Sequence, residues 1–143
     1  ALARACVHLR TKELLQAFKR RRAELGDYEL ASGVAAGIDA QLRIYQTAPQ
    51  EWAQHFLLER HKSDLQSYLS AYELFLAEWR ALIAGASDWP RDRPADAAAE
   101  MVFTLLYGAF AHALMSKPGA AAIAALRPVL ERAAMGCLRA FEA

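Results

Sequence analysis

Residues 95 to 116, ADAAAEMVFTLLYGAFAHALMS, limit what this chain can become more than any other stretch: beyond Glu100 no Asp, Glu, Lys or Arg occurs until Lys117. A helix that is apolar nearly all round needs cover on more than one side, either deep within a domain or between two chains. Gly108 and His112 interrupt the run, which falls short of the unbroken apolar length of a spanning helix. The expectation is therefore a buried helix. Pro94 suits its first turn, and Lys117, Pro118 and Gly119 end it.

The rest of the chain is punctuated in the same way. Thr11 can cap a first helix of about four turns that stops at Gly26, with Leu14, Leu15, Phe18 and Leu25 facing inward. A second helix over about 28 to 45 places Leu30, Val34, Ile38, Leu42 and Tyr45 on one face, weakened locally by Gly33 and Gly37. Pro49 opens a short helix that ends near His61. Ser63 or Asp64 can cap a long one, whose stripe runs from Leu65 through Tyr68, Leu69, Tyr72, Phe75, Leu76, Trp79 and Leu82 to Ile83, before Gly85. The polar stretch GASDWPRDRP separates this part from a final helical pair. Pro128 divides the last element into a short helix and a new one from about Arg127, or kinks it. No run of alternating β-branched residues appears, so the fold class is all-α, a helical bundle; 143 residues with 55% hydrophobic content fit one domain.

Charge is spread unevenly. Residues 1 to 25 carry seven Lys/Arg against two acids, and the remaining 118 carry ten against fourteen. The stretch HLRTKELLQAFKRRR ends on four consecutive cations, Lys19 to Arg22. Such a segment is either a nucleic-acid contact or the solvated face of a helix. Consecutive positions fan around a helix, so at best two of the four can face one partner. Cys6 and Cys137 are too few and too far apart for a disulfide framework or a zinc signature, which makes a reducing, cytoplasmic setting the simpler expectation. No signal peptide is present, and the chain opens at Ala1 rather than at an initiator Met, so further residues are expected before it.

Little chemistry can be read from the motifs. Glu51, His55 and Glu59 at i, i+4 and i+8, with His61 nearby, have the spacing of metal ligands, but they equally form a solvated face. No E-x-x-H or H-E-x-x-H pair supports the metal reading, and none is expected to bind. His112, alone in an apolar helix, reads as a core or interface histidine. With no G-x-S-x-G, phosphate-binding glycine loop or reactive-cysteine setting, enzyme activity has no support and no cofactor is expected. The middle of the chain is unusually aromatic. Trp52, Phe56, Tyr68, Tyr72, Phe75, Trp79, Phe103, Tyr107 and Phe110 form either plain core or, with tyrosine hydroxyls and His55 as polar handles, the wall of a cavity for an apolar or aromatic small molecule.

Two features together carry a resemblance. His8-Leu9-Arg10-Thr11-Lys12-Glu13-Leu14-Leu15 looks like the H-F-x-[ST]-K-E-x-L junction of tetracycline-repressor-like (TetR) regulators, with Leu9 in place of the usual Phe. The order of elements from His8 to Phe141 also resembles that family's regulatory core: a long helix, a polar turn into Asp92-Arg93-Pro94, an apolar helix with Leu106-Tyr107-Gly108, then an amphipathic helix. The family places a three-helix DNA-binding module ahead of this point. Residues 1 to 10 would be its remnant, with ALARAC resembling part of its first helix, and 11 to 143 the ligand-binding and dimerisation domain. The resemblance implies a homodimer through the last two long helices, with Val102, Leu106, Ala109, Ala113, Val129, Ala133 and Cys137 at the seam. It implies operator DNA as a partner, met along its backbone by His8, Thr11 and Lys12 at a helix N-terminus, while Lys19 to Arg22 stay in solvent. A small-molecule effector would move helix 11 to 25 as a lever and release the operator.

Overall fold

The structure, a computed structural model, describes the backbone of residues 2–60 and 65–142 and the side chains of 9–58 and 69–142. Its elements are α1 (Leu2–Ala23), α2 (Leu30–Thr47), α3 (Pro49–Arg60), α4 (Leu65–Ala84), α5 (Asp96–Ser116), α6 (Ala120–Ala124) and α7 (Arg127–Arg139), and no strand occurs among the described residues. The expectation of an all-α bundle holds. The suggested caps Ser63 and Asp64 lie outside the described residues.

The first helix differs from its expected form. It begins at Leu2 and passes through Thr11 without a break, so Thr11 is no N-cap and the boundary expected at residue 10 falls inside one helix. Nothing in ACVHLRTKELL interrupts the chain, and a single Thr in a helix interior costs only a few tenths of a kcal/mol. The end is as expected. Gly26, at φ +63°, adopts the left-handed conformation in which a side chain would be strained.

The central element is α2, not α5. Seven consecutive residues, Ala36 to Leu42, are buried, and the helix packs against α1, α4, α6 and α7. Small residues make this possible. A Cβ on Gly37 would lie 2.8 Å from Cη2 of Trp79 and 3.0 Å from Cε2 of Phe18, and one on Gly33 would lie 2.7 Å from Cε2 of Tyr28. The glycines therefore let aromatic rings close onto the α2 backbone. Phe18 and Trp79 meet edge to face there, 4.9 Å apart. The tyrosine is fixed at its other end, where its hydroxyl donates to the Leu82 carbonyl over 2.6 Å. That burial pushes the Tyr28 hydroxyl above its usual range, partly offset by the Arg22 charge.

Loop 85–95 is more than a spacer. No local side chain caps α2; the Leu30 amide donates instead to Asp88 Oδ1 at 2.7 Å, and the Ser87 amide to the Tyr28 carbonyl at 2.8 Å. Trp89 is buried beneath Arg93, its indole N–H bonded to the Arg93 carbonyl at 3.0 Å. Helix α5 starts at Asp96, two residues beyond Pro94, and Arg80 pairs with Asp96 at 2.6 Å. Pro128 stands in the first turn of α7, so the last element is two helices.

Helix α5 packs against α3, α4 and α7 with a stripe of Ala98, Ala99, Val102, Phe103, Leu106, Phe110 and Leu114. By length and composition alone it could cross a membrane, and 44% of its most apolar window is buried in the bundle. Its other side is open. Met101, Thr104, Gly108 and His112 are exposed, so of the two readings of His112, core or interface, the core one does not hold.

Candidate functional site: an aromatic cavity against the first helix

Five helices line a partly open cavity. Its wall comprises Thr11 and Leu14 from α1, Gln41 and Tyr45 from α2, and His55 and Phe56 from α3, with Ala71, Tyr72, Phe75 and Trp79 from α4 and Phe103, Leu106, Tyr107 and Phe110 from α5. The free volume is about 60 Å³. At roughly 10–15 Å³ per water in the same measure, that holds several waters or one small ring.

The rings are held by one another. Tyr45 meets Phe110 edge to face at 5.0 Å, Phe56 meets Tyr107 at 5.6 Å, Tyr72 meets Phe103 at 4.8 Å, and Phe103 stacks on Tyr107 at 5.9 Å. Such pairs each add about 0.5–1.5 kcal/mol beyond burial, so the wall is preorganised rather than loosely filled. Its chemistry is uniform. Among the described side chains no Lys, Arg, Asp or Glu lines it, and the polar groups are hydroxyls, one amide, one imidazole and one indole.

Of the aromatics expected here, Phe56, Tyr72, Phe75, Trp79, Phe103, Tyr107 and Phe110 line the space, as does His55. Trp52 does not. It is core, packed on Tyr45 at 5.2 Å and covered by the Arg10 guanidinium 5.4 Å from its ring. The side chain of Tyr68 lies outside the described residues. Thr11, Leu14, Gln41, Tyr45, Ala71 and Leu106 were not expected in the wall. Leu14 and Tyr45 sat on the inward stripes of their own helices, and Gln41 was the polar residue beside one. Sequence spacing shows that such a stripe is buried, not whether it meets a ligand or another helix.

The metal spacing does not come together among the described side chains. Glu51 is exposed and pairs with Arg10, whereas His55 is buried against Trp52 and Phe56. Glu59 and His61 lie outside the described side chains. No group of three possible ligands occurs among the described residues.

Two further expectations change. Lys19 to Arg22 do not all stay in solvent. Glu78, buried on α4, accepts Arg22 at 3.0 Å and has Lys19 at 3.8 Å; Asp39, buried on α2, is paired with Arg127, with Arg43 at 2.9 Å and with Arg21 at 3.9 Å. Burial alone would raise the Asp39 carboxyl, but hydrogen bonds and charge from Arg127 and Arg43 outweigh it and hold it below the usual range. The basic run thus clamps α1 to the body at two carboxylates, one of which also holds α7.

The second change concerns the expected seam. Val102 and Leu106 are fully buried within this chain, and Leu106 faces the cavity, so neither can meet a second copy. Periodicity in a helix apolar all round does not say which side turns inward. Ala109, Ala113 and Cys137 are half-buried, and Val129 and Ala133 are exposed. Of the positions matched to DNA contact, Lys12 is exposed, Thr11 is half-buried in the cavity wall, and the side chain of His8 lies outside the described residues.

No protein-family model matches the chain, and no curated protein or solved structure matches it either.

Proposed function

We propose that this chain is the ligand-binding and dimerisation core of a TetR-type transcriptional regulator, a cytoplasmic repressor whose operator affinity is released by a small, largely apolar or aromatic effector. One observation carries the reading: Thr11 and Leu14 of α1 form part of the cavity wall. A guest in the cavity touches the helix that, in the resemblance, leads from a DNA-binding module. Because the free volume is small, a guest larger than one ring must displace part of the wall, and α1 is the part attached to the module. The effector then shifts the equilibrium only through its unequal affinity for the two positions of α1.

Dimerisation is supported by the open sides of α5 and α7. Gly108 and Gly136 have nothing within 4 Å of where a Cβ would stand, so neither is required by packing inside the chain. Small residues on paired helices allow a second helix to approach closely.

The test uses protein carrying a helix-turn-helix module ahead of this chain. A ligand that binds the cavity should lower DNA affinity tenfold or more, and Thr11→Leu, which fills the wall from α1, should weaken that coupling. Binding in a dimeric protein that leaves DNA affinity untouched sinks the proposal. Lys12→Ala should flatten the salt dependence of DNA binding by about one unit of slope.

A small-molecule-binding helical dimer with no DNA role is the second reading. It is favoured by the clamps, which engage Lys19, Arg21 and Arg22 with this chain's own carboxylates. An unchanged salt slope in Lys12→Ala would select it.

A further inference from the structure

Helix α2 turns two different sides to α1. Ala40 and Arg43 border an open groove with Arg20 and Glu24, whereas Gln41 and Tyr45, one turn apart, reach the aromatic cavity beside Thr11 and Leu14. Gln41 is thus a polar residue inside the buried run Ala36 to Leu42, with only 5% of its surface exposed.

A buried glutamine is normally bonded through its amide, and this one is not. Among the described residues the Gln41 amide has no hydrogen-bond partner. The Trp79 indole nitrogen is sealed off, but the Gln41 amide keeps accessible surface. Because Gln41 walls this cavity and is otherwise buried, that surface opens into it. Water can complete the amide in the free protein, and a guest that displaces the water must supply the same bonds or lose affinity.

Whichever way it is turned, the amide offers an N–H and a C=O side by side. A guest with the complementary pair on adjacent atoms, as in a lactam or a carboxamide, makes two hydrogen bonds to it at once; a guest with a single hydroxyl makes one. The cavity sets the size, since about 60 Å³ of free volume admits one small ring, and Tyr45, Phe103, Tyr107 and Phe110 present ring faces and edges to its body. We propose that the cavity takes a ring-sized lactam or carboxamide, and that the side-chain amide of Gln41 recognises its adjacent N–H and C=O. This rests on the cavity being a ligand site, as in the function proposed above, but not on any role in DNA binding.

2-Pyridone (a lactam in water), phenol and toluene share ring size and heavy-atom count, and carry a paired donor and acceptor, a single hydroxyl and neither. Their affinities are measured by calorimetry on wild type and on Gln41→Met, which keeps the length of the side chain and removes the amide. Differences in hydration among the probes cancel when affinity ratios are compared between the two proteins. The preference for 2-pyridone over toluene should fall about tenfold in Gln41→Met, and that for phenol over toluene about threefold. In chemical denaturation the variant should be at least as stable as wild type, because no bond within the fold is lost and a buried polar group is removed.

Binding by all three probes with unchanged ratios would keep the cavity as a ligand site and discard this inference. Binding by none of them would remove the ligand site and the inference together. An equal loss of affinity for the three, or a variant that is less stable or does not fold, would mean that the amide serves the packing of α2 and overturns the proposal. No step involves DNA, so 2-pyridone read by Gln41 with no effect on DNA affinity would keep this inference and discard the regulator.

Discussion

Helices α2 and α5 both carry glycine in mid-helix, and they use it in opposite ways. In α2, Gly33 and Gly37 lie under the rings of Tyr28, Trp79 and Phe18, at distances where a methyl group would collide. In α5, Gly108 faces open space, as does Gly136 in α7. A glycine in a helix interior costs about 1 kcal/mol relative to alanine. In α2 the cost is offset inside the chain by close packing around the cavity. In α5 no described residue packs against Gly108 to offset it. One region is packed from within the chain, and the other leaves its glycine on an open face.

The largest expected effect breaks the side packed from within. Gly37→Ala should destabilise the fold by about 1–3 kcal/mol despite its better helix propensity, because Trp79 Cη2 and Phe18 Cε2 cannot both withdraw. Chemical denaturation measures this. A neutral or stabilising result would mean that the ring packing around α2 is looser than the distances require.

Next comes the carboxylate that ties α1, α2 and α7 together. Asp39→Asn should cost about 1–3 kcal/mol at neutral pH, since hydrogen bonds to charged groups are lost. The pH dependence has a definite sign. Although burial opposes it, Arg127 and Arg43 hold the Asp39 carboxyl of the folded protein below the usual carboxylate range, so its contribution is fully present above that range and is lost as pH falls through the folded pKa. Thermal unfolding from pH 6 to pH 3 should therefore fall more steeply in wild type than in Asp39→Asn. Parallel curves would show that the three arginines do not stabilise the ionised form.

The two regions also differ in how much of them could be read from the sequence. Helix existence and order were legible because Pro49, Gly85, Pro94 and Pro128 punctuate strongly periodic segments. Most cavity aromatics were legible too, since rings at helical spacing on α4 and α5 must face a common interior. The start of α1 was not, because a Thr that can cap a helix can also sit inside one. The clamps were missed for a different reason. Glu78 and Asp39 each stand among apolar residues of their own helix, which signals a buried acid, but apart from Arg43 their partner cations come from elements distant in sequence. The inward side of α5 was beyond reach, as Val102 and Leu106 show: with apolar residues all round, only the surrounding helices choose the buried face.

Smaller in magnitude, and opposite in sign, is the effect expected at Gly108. In the isolated chain Gly108→Ala adds a methyl group to open space and improves helix propensity, so the folded monomer should gain about 0.5–1 kcal/mol. If the open side of α5 is a seam between two copies, the same methyl enters a close helix contact, where overpacking typically costs 1–3 kcal/mol, and self-association should weaken roughly tenfold. Denaturation at low protein concentration reads the first quantity, and sedimentation across a concentration series reads the second. A gain in stability with unchanged association would place any seam away from Gly108 and leave this glycine without a role. A loss in both would mean that α5 packs more tightly inside the chain than its exposed face allows, and the contrast with α2 would disappear. Only a more stable fold that associates less keeps the two glycine classes distinct, because it separates what the residue does for its own helix from what it does for a neighbour.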